Sequence, residues 1–387
     1  MNIFLFAWEF KVQVYNEGEC LMKKILFLPF LQVMLGNNQV AKSLEAWLKK
    51  VNDRVVCETV DIFSYAFGKT ESFVSRSYIR AIQYMPSFYR WLYKKNAVNQ
   101  NEKERFLFYE ILFEQAMIKL IYDKKPDWII CTHALPSYLL NRLKQKRRLG
   151  IPVVNVYTDY FINCIWGKEA IDYHLVPDDC FKQQLIDSGV KRENIFVTGI
   201  PIHPSIYEMK RREKRRIDTC NVFITGGNLG IGKIEMVVNH LRFHSDFRYF
   251  VLCGKNQRLY DALKKNNIHV TPLPYINSPQ KMNMLYNQMD AIVTKPGGVT
   301  VTESLHKRIP IFVYDTLPGQ EEMNLAYLLK NGLVFDLRNA AKKGDITEMI
   351  HSFLYSKEKM QAYHKKVDYF HKRVSTKHLQ SFIQHIV

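Results

Sequence analysis

Three strand-to-helix turns in the second half of the chain restrict its fold more than any other feature. Ala291-Ile292-Val293 is an apolar strand, Lys295-Pro296-Gly297-Gly298 is a turn, and Val299 opens a helix with Thr300, Thr302 and Glu303 in its first turns. Thr225-Gly226-Gly227-Asn228-Leu229-Gly230 also follows a strand and precedes a helix carrying Val237, Val238 and Leu241. The third turn, Leu317-Pro318-Gly319-Gln320-Glu321-Glu322, follows the strand 311–314. Strands that pass through short turns into helices build parallel α/β sheets, whose ligands bind beyond the carboxyl ends of the strands. Glycine lets the backbone approach an anion, and a helix start supplies unpaired N–H groups and partial positive charge. One such turn is as often plain structure as a binding loop; three in one sheet are hard to explain by structure alone.

The first half repeats the alternation of short apolar runs with helical-period segments. Candidate strands are 25–28, 128–131, 153–157, 173–176 and 195–197. Helical stretches include 40–50, where Leu44, Trp47 and Leu48 share a face. A longer one runs from 101 to 122, with Phe106, Tyr109, Leu112, Phe113 and Met117 expected inward. After a charge run at 209–216, read as a solvated linker or helix start, the second series of strands is 221–224, 249–252, 269–271, 291–293, 311–313 and 333–335. At 387 residues, two βαβ domains are the expected organisation. The division is an N-terminal domain at 22–204, a C-terminal domain at 205–359, and a basic helix at 360–387 that could cross back to the first domain. Residues 1–21 read as translated leader. Met22-Lys23-Lys24 followed by an apolar run looks like a natural start, and Glu17-Gly18-Glu19 could be encoded by a purine-rich, ribosome-binding-like stretch.

Charge narrows the partners. Lys and Arg number 55 against 37 Asp and Glu, a formal net charge of +18. That balance suits nucleic acid, an anionic membrane surface or phosphorylated small molecules. No nucleic-acid motif accompanies it, so nucleic acid is not an expected partner. The seven cysteines form no CxxC pair, which argues against a zinc site or a disulfide framework; no metal ligand set is expected. No apolar run reaches the ~18 residues of a spanning helix. Between Ser75 and Lys95, basic residues and aromatics interleave around Pro86. That stretch suits an element lying on a membrane surface, or equally a helical hairpin packing its aromatics inward.

Several motifs together carry a resemblance. They are Val156-Tyr157-Thr158-Asp159-Tyr160 with Trp166, Thr198-Gly199-Ile200-Pro201-Ile202, Cys253-Gly254-Lys255-Asn256, the segment from Lys295 to Glu303, and Pro318-Gly319-Gln320-Glu321. In these the chain, from residue 24 to about 340, resembles the glycosyltransferase family of diacylglycerol glucosyltransferases and monogalactosyldiacylglycerol synthases. The resemblance implies a GT-B fold of two Rossmann-like domains facing across a cleft. It also implies a UDP-sugar donor as substrate with no cofactor, a membrane lipid acceptor, metal-independent inverting transfer, and peripheral attachment to the cytoplasmic face of the cell membrane. Carried over, Gly227 and Gly230 would line the diphosphate, and Asn256, Tyr275 and Ile276 would border uracil. Lys295 and Gly297 belong to the same loop; Gly298 and Thr300 would hold phosphate oxygens, Glu303 the ribose, and Gln320 and Glu321 the sugar hydroxyls.

The acceptor side departs from the pattern. Aligning Val40-Ala41-Lys42 with the family places Asn37 where an acceptor-activating histidine is expected, and Asn163 also replaces a histidine. An amide has no basicity near pH 7 and cannot serve as general base. Asp159 and His133 are the candidate replacements. The departures also leave open a different acceptor, or a UDP-sugar-binding paralogue with weak or no transfer.

Overall fold

The computed structural model describes residues 22–30, 36–67, 107–208, 219–226, 234–241, 244–266, 269–339 and 346–387. The leader segment, the stretch 75–95, the charge run 209–216, and Gly227 and Gly230 lie outside the described residues.

Runs such as Val153-Val154-Asn155-Val156, buried at every position, can only be central strands covered on both faces. They form two six-stranded sheets, one per half of the chain. The first contains β1 (Lys24–Leu28), β2 (Val56–Thr59), β3 (Trp128–Cys131), β4 (Val153–Val156), β5 (Tyr173–Val176) and β6 (Ile195–Val197) in the order β2-β1-β3-β4-β5-β6. The second contains β7 (Cys220–Thr225), β8 (Phe247–Leu252), β9 (Val270–Leu273), β10 (Ala291–Thr294), β11 (Ile311–Val313) and β12 (Phe335–Asp336) in the order β12-β11-β10-β7-β8-β9. Every pairing is parallel, with Ile25 opposite Trp128 and Ala291 opposite Val222. The order reverses between β1 and β3 in one sheet and between β7 and β10 in the other. Crevices open at the carboxyl ends of such strand pairs. The helices used below are α1 (Gly36–Val51), α2 (Ile62–Phe67), α3 (Leu107–Lys124), α4 (Ala134–Gln145), α5 (Asp179–Asp187), α6 (Ile234–Asn239), α7 (Gln257–Asn266), α8 (Pro279–Tyr286), α9 (Gly298–His306), α10 (Gln320–Lys330), α11 (Ile346–Leu354), α12 (Lys357–Arg373) and α13 (Thr376–Ile386).

Some expectations need correction. β2 escaped the sequence reading because it is an edge strand, mostly exposed, with Glu58 and Thr59 in place of an apolar run. The last strand lies at 335–336, beyond the apolar pair Leu333-Val334, which is buried before the strand begins. Leu112, expected inward, is 39% exposed, while Phe113 and Met117 are buried. The helical phase there is set by Phe113, Met117 and Leu120, which leaves position 112 on the flank.

The C-terminal segment is two helices. α12 packs on the second domain, where the Tyr363 hydroxyl donates to the Ile309 carbonyl at 2.8 Å and His371 Nε2–H to that of Leu305 at 2.9 Å, and its last residue, Arg373, reaches Asp178 of the first. α13 returns to the first domain, where His378 Nδ1–H donates to Val197 O at 3.1 Å and Lys23 Nζ to Ile386 O at 3.2 Å. The crossing point touches Gly199, whose φ is +75° and whose missing Cβ would sit 2.6 Å from Val374. No helix among the described residues is long and apolar enough to cross a membrane.

Candidate active site

Two cavities open where the carboxyl ends of the sheets face each other. The larger, about 270 Å³, is lined from the second domain by Phe223, Thr225, Leu252, the stretch Tyr275–Pro279, Met282, Tyr286, Val299, Thr300 and Glu303. From the first domain it receives Asn38, Gln39, Lys42 and Ser43 on α1, together with His203. Of the expected donor residues, Tyr275, Ile276, Thr300 and Glu303 meet here. Lys42 was not anticipated; its side chain brings a positive charge from the opposite domain, and nothing in the local sequence of α1 marks it.

Glu303 is the buried carboxyl group of this cavity. One carboxylate oxygen accepts the Tyr286 hydroxyl at 2.9 Å. Removal from water pushes its pKa up to about 7, against the lowering effect of that hydrogen bond. Tyr286 is held above the normal phenol range by burial and then by the Glu303 charge.

The remaining donor-side residues serve the surrounding frame. Asn256 accepts the Leu259 N–H at 3.1 Å and caps the first turn of α7, and Gly254 turns with φ +58°. Lys295, 7% exposed, pairs with Glu321 at 3.1 Å. The second Glu321 oxygen accepts the Leu317 N–H at 2.6 Å. This carboxylate braces the third glycine turn against the second, so Gln320 is the member of the pair that reaches a cavity. Gly297 caps α9 with φ −75° and open space where a Cβ would stand. Gly298 is different: a Cβ would lie 2.1 Å from the carbonyl oxygen of Thr158 in the other domain and 2.9 Å from Ile200. A methyl group there must move backbone, so Gly298→Ala is expected to cost about 1–3 kcal/mol by overpacking. Chemical denaturation would register this; unchanged stability would show that the domains do not close this far.

The smaller cavity, about 160 Å³, is lined by His133, Ala134, Leu135, Thr158, Asp159, Phe161, Asn163, Ile165, Trp166 and Gln320. Both residues considered as replacement bases therefore share one space with Asn163. His133 caps α4, its Nδ1 accepting the Leu135 N–H at 3.2 Å, and its ring stacks on Phe30 at 4.9 Å. Burial pushes its pKa down to about 4. The neutral ring with Nδ1 as acceptor carries its proton on Nε2, so it presents a donor and has no free basic nitrogen. Asp159 presents a carboxylate whose pKa is raised, first by burial and further by the nearby Glu321 charge, against hydrogen bonds from Asn324 and Thr158.

Asn324 was missed in the sequence. It is fully buried in α10, donates from Nδ2 to Asp159 Oδ1 at 2.8 Å, and accepts the Tyr160 N–H at 2.7 Å. A residue of the second domain thus fixes the carboxylate of the first. Around it, the Tyr160 ring stacks on Tyr327 at 5.2 Å and 7°, and its hydroxyl meets Thr302 Oγ1 at 2.7 Å. Tyr327 donates to Asp178, which Arg373 also pairs at 2.9 Å. Asn324 lies four residues after Gln320 on the same helix face, the one sequence signal that could have found it.

Asn37 lines neither cavity. It is 6% exposed, donates from Nδ2 to Phe30 O at 3.1 Å, and accepts the Asn38 N–H at 2.9 Å. These bonds hold the start of α1.

Two doubly wound domains with cavities between their carboxyl edges define the GT-B class. Solved structures agree on the fold: S. aureus MnaA with UDP covers 94% of this chain with a TM-score of 0.59 at 14% identity. Acinetobacter baumannii MurG covers 94% with a TM-score of 0.58, also at 14% identity. The model of the monogalactosyldiacylglycerol synthase family matches residues 37–202. An uncharacterized glycosyltransferase of Bacillus subtilis, YkoN, is 41% identical over 95% of this chain and 98% of its own length. A processive diacylglycerol beta-glucosyltransferase of Bacillus cereus is 27% identical over 81% of this chain and 82% of its own. The chain belongs to this glycosyltransferase family, as a divergent member related to the diacylglycerol glucosyltransferases.

Proposed function

We propose that the protein transfers a hexose from a UDP-sugar to a hydroxyl of a membrane lipid, with inversion at the anomeric carbon. The observation that carries this reading is the pair of cavities: one holds Glu303 beside the first turn of α9, the other holds Asp159, and both are built from the two domains together. The nucleoside would occupy the larger cavity, its base beside Tyr275 and Ile276 and its ribose hydroxyls on Glu303. The diphosphate would lie at the amino terminus of α9, where free N–H groups stabilise the charge that grows as the sugar–phosphate bond breaks. No resident cofactor or metal has a part in this scheme. In the smaller cavity Asp159 would take the acceptor proton while the acceptor oxygen attacks the anomeric carbon, and UDP would leave with the bonding electron pair.

The relative from Bacillus cereus is named for transfer to diacylglycerol, which supports a lipid acceptor. The +18 charge and the exposed Leu107, Ile111 and Leu112 at the start of α3 support attachment to an anionic membrane face. The test is product analysis after incubation with a panel of UDP-sugars and diacylglycerol-containing vesicles. Glycolipid formed from one of them is expected; nucleotide-sugar binding with no product from any sugar and acceptor would defeat the enzyme reading. A different acceptor is the second reading, favoured by Asn163 on the wall of the cavity in place of a histidine. Asn37→His is expected not to raise turnover, because the side chain faces neither cavity and its amide holds the start of α1. A rise would return this position to acceptor activation.

A further inference from the structure

His244, Asp246 and His351 meet at the amino end of β8, the opposite end of the sheet from both cavities. Their donor atoms all lie within 4.8 Å of one another. Asp246 Oδ2 stands 3.8 Å from His244 Nδ1 and 3.8 Å from His351 Nε2. The two imidazole rings are 4.7 Å apart. Two imidazoles and one carboxylate form a nitrogen-and-oxygen set suited to zinc and neighbouring divalent ions. Around a tetrahedral ion with bonds of ~2.0–2.2 Å, ligand atoms stand about 3.3–3.5 Å apart. Small side-chain rotations would close the observed spacing to that value.

The surroundings orient these groups. Ser245 Oγ donates to the other Asp246 oxygen at 3.1 Å, and the Tyr355 ring stacks on His351 at 4.4 Å. The Phe247 N–H fixes the turn by donating to His244 O at 3.0 Å. His244 Nδ1 accepts the Asp246 N–H at a long 3.3 Å, a contact that a metal ion would replace. Transfer chemistry uses none of these residues. The ligands come from two separate segments, the turn entering β8 and helix α11, so an ion would tie one to the other.

We propose that His244, Asp246 and His351 form a structural binding site for a zinc-type divalent cation that pins α11 to the turn before β8. The test uses the full chain, stripped with a chelator and titrated with Zn²⁺ by calorimetry, with melting curves recorded in parallel. Saturable binding and a rise in melting temperature by several degrees are expected. His244→Ala and His351→Ala should each weaken Zn²⁺ binding by at least about tenfold and abolish the thermal shift. Asp246→Asn, which keeps the side-chain volume, should weaken it as well. Melting the variants in chelator checks that each is folded. Co²⁺ adds a spectroscopic reading, since visible absorption should appear with the parent and vanish in the variants. Variants that bind Zn²⁺ as the parent does, or binding with no thermal shift, would overturn the site.

Discussion

Asp159→Asn should lower turnover by about 10²- to 10⁴-fold, the range expected for loss of a general base. Nucleotide affinity should stay near the parent value, because Asp159 belongs to the smaller cavity. The carboxylate acts only when ionised and its pKa is raised, so activity should fall as pH drops through that raised value. Burial is the main cause of the shift, and the Asn324 amide works against it. Replacing Asn324 by Leu removes the donor and should move the acidic limb of the profile to higher pH, in addition to loosening the carboxylate. Steady-state rates across pH, with uracil-nucleotide binding measured alongside, separate the effects. Full activity in Asp159→Asn would remove it from the reaction. His133→Ala is the control, and a loss as large as that of Asp159→Asn would shift the role of base to the histidine.

Glu303→Ala should weaken UDP binding by the ~1.5–3 kcal/mol of a charge-assisted hydrogen bond, or about 10- to 150-fold. With its pKa pushed up to about 7, Glu303 is only partly ionised near neutrality. Ribose hydroxyls donate best to the ionised form, so affinity should improve as pH rises through 7 and then level off. Uridine is the better probe for this, because it has no phosphate titrating in the same range. Glu303→Gln should show weaker binding and a flat profile. The same raised pKa works in the opposite direction on folding. Stability contributed by the protonated carboxyl is present below its unfolded pKa and is lost as pH rises through about 7. Calorimetry on the parent and both variants gives the answer; UDP and uridine affinities equal to the parent would take Glu303 out of the ribose site.

Residues 291–303 show why part of the site was legible and part was not. A β-branched strand, a turn with adjacent glycines and an amphipathic helix are local patterns, and local sterics plus hydrophobic period dictate them. Placing Thr300 and Glu303 beside the strand ends needed nothing more. Glu321 looked the same in sequence, yet it braces Lys295 and Leu317 N, because a carboxylate will pair with whichever donor the packing presents. Gly298 reads as a phosphate-loop glycine, but the contact that requires it is with the Thr158 carbonyl of the other domain.

By itself the sequence determined that the chain builds two parallel α/β sheets, apart from the exposed edge strand β2, and that glycine turns lead from strands into α9 and α10, since each depends on residues within one strand–turn–helix unit. Only the tertiary structure decided which carboxylate faces which cavity. Asp159 gains its raised pKa from burial in the cleft between domains, and its fixed position from Asn324. Lys42 and His203 reach the larger cavity from the opposite domain. A contact between residues so far apart in the chain leaves no period or spacing to read. It exists only once both hydrophobic cores have formed and their carboxyl edges meet.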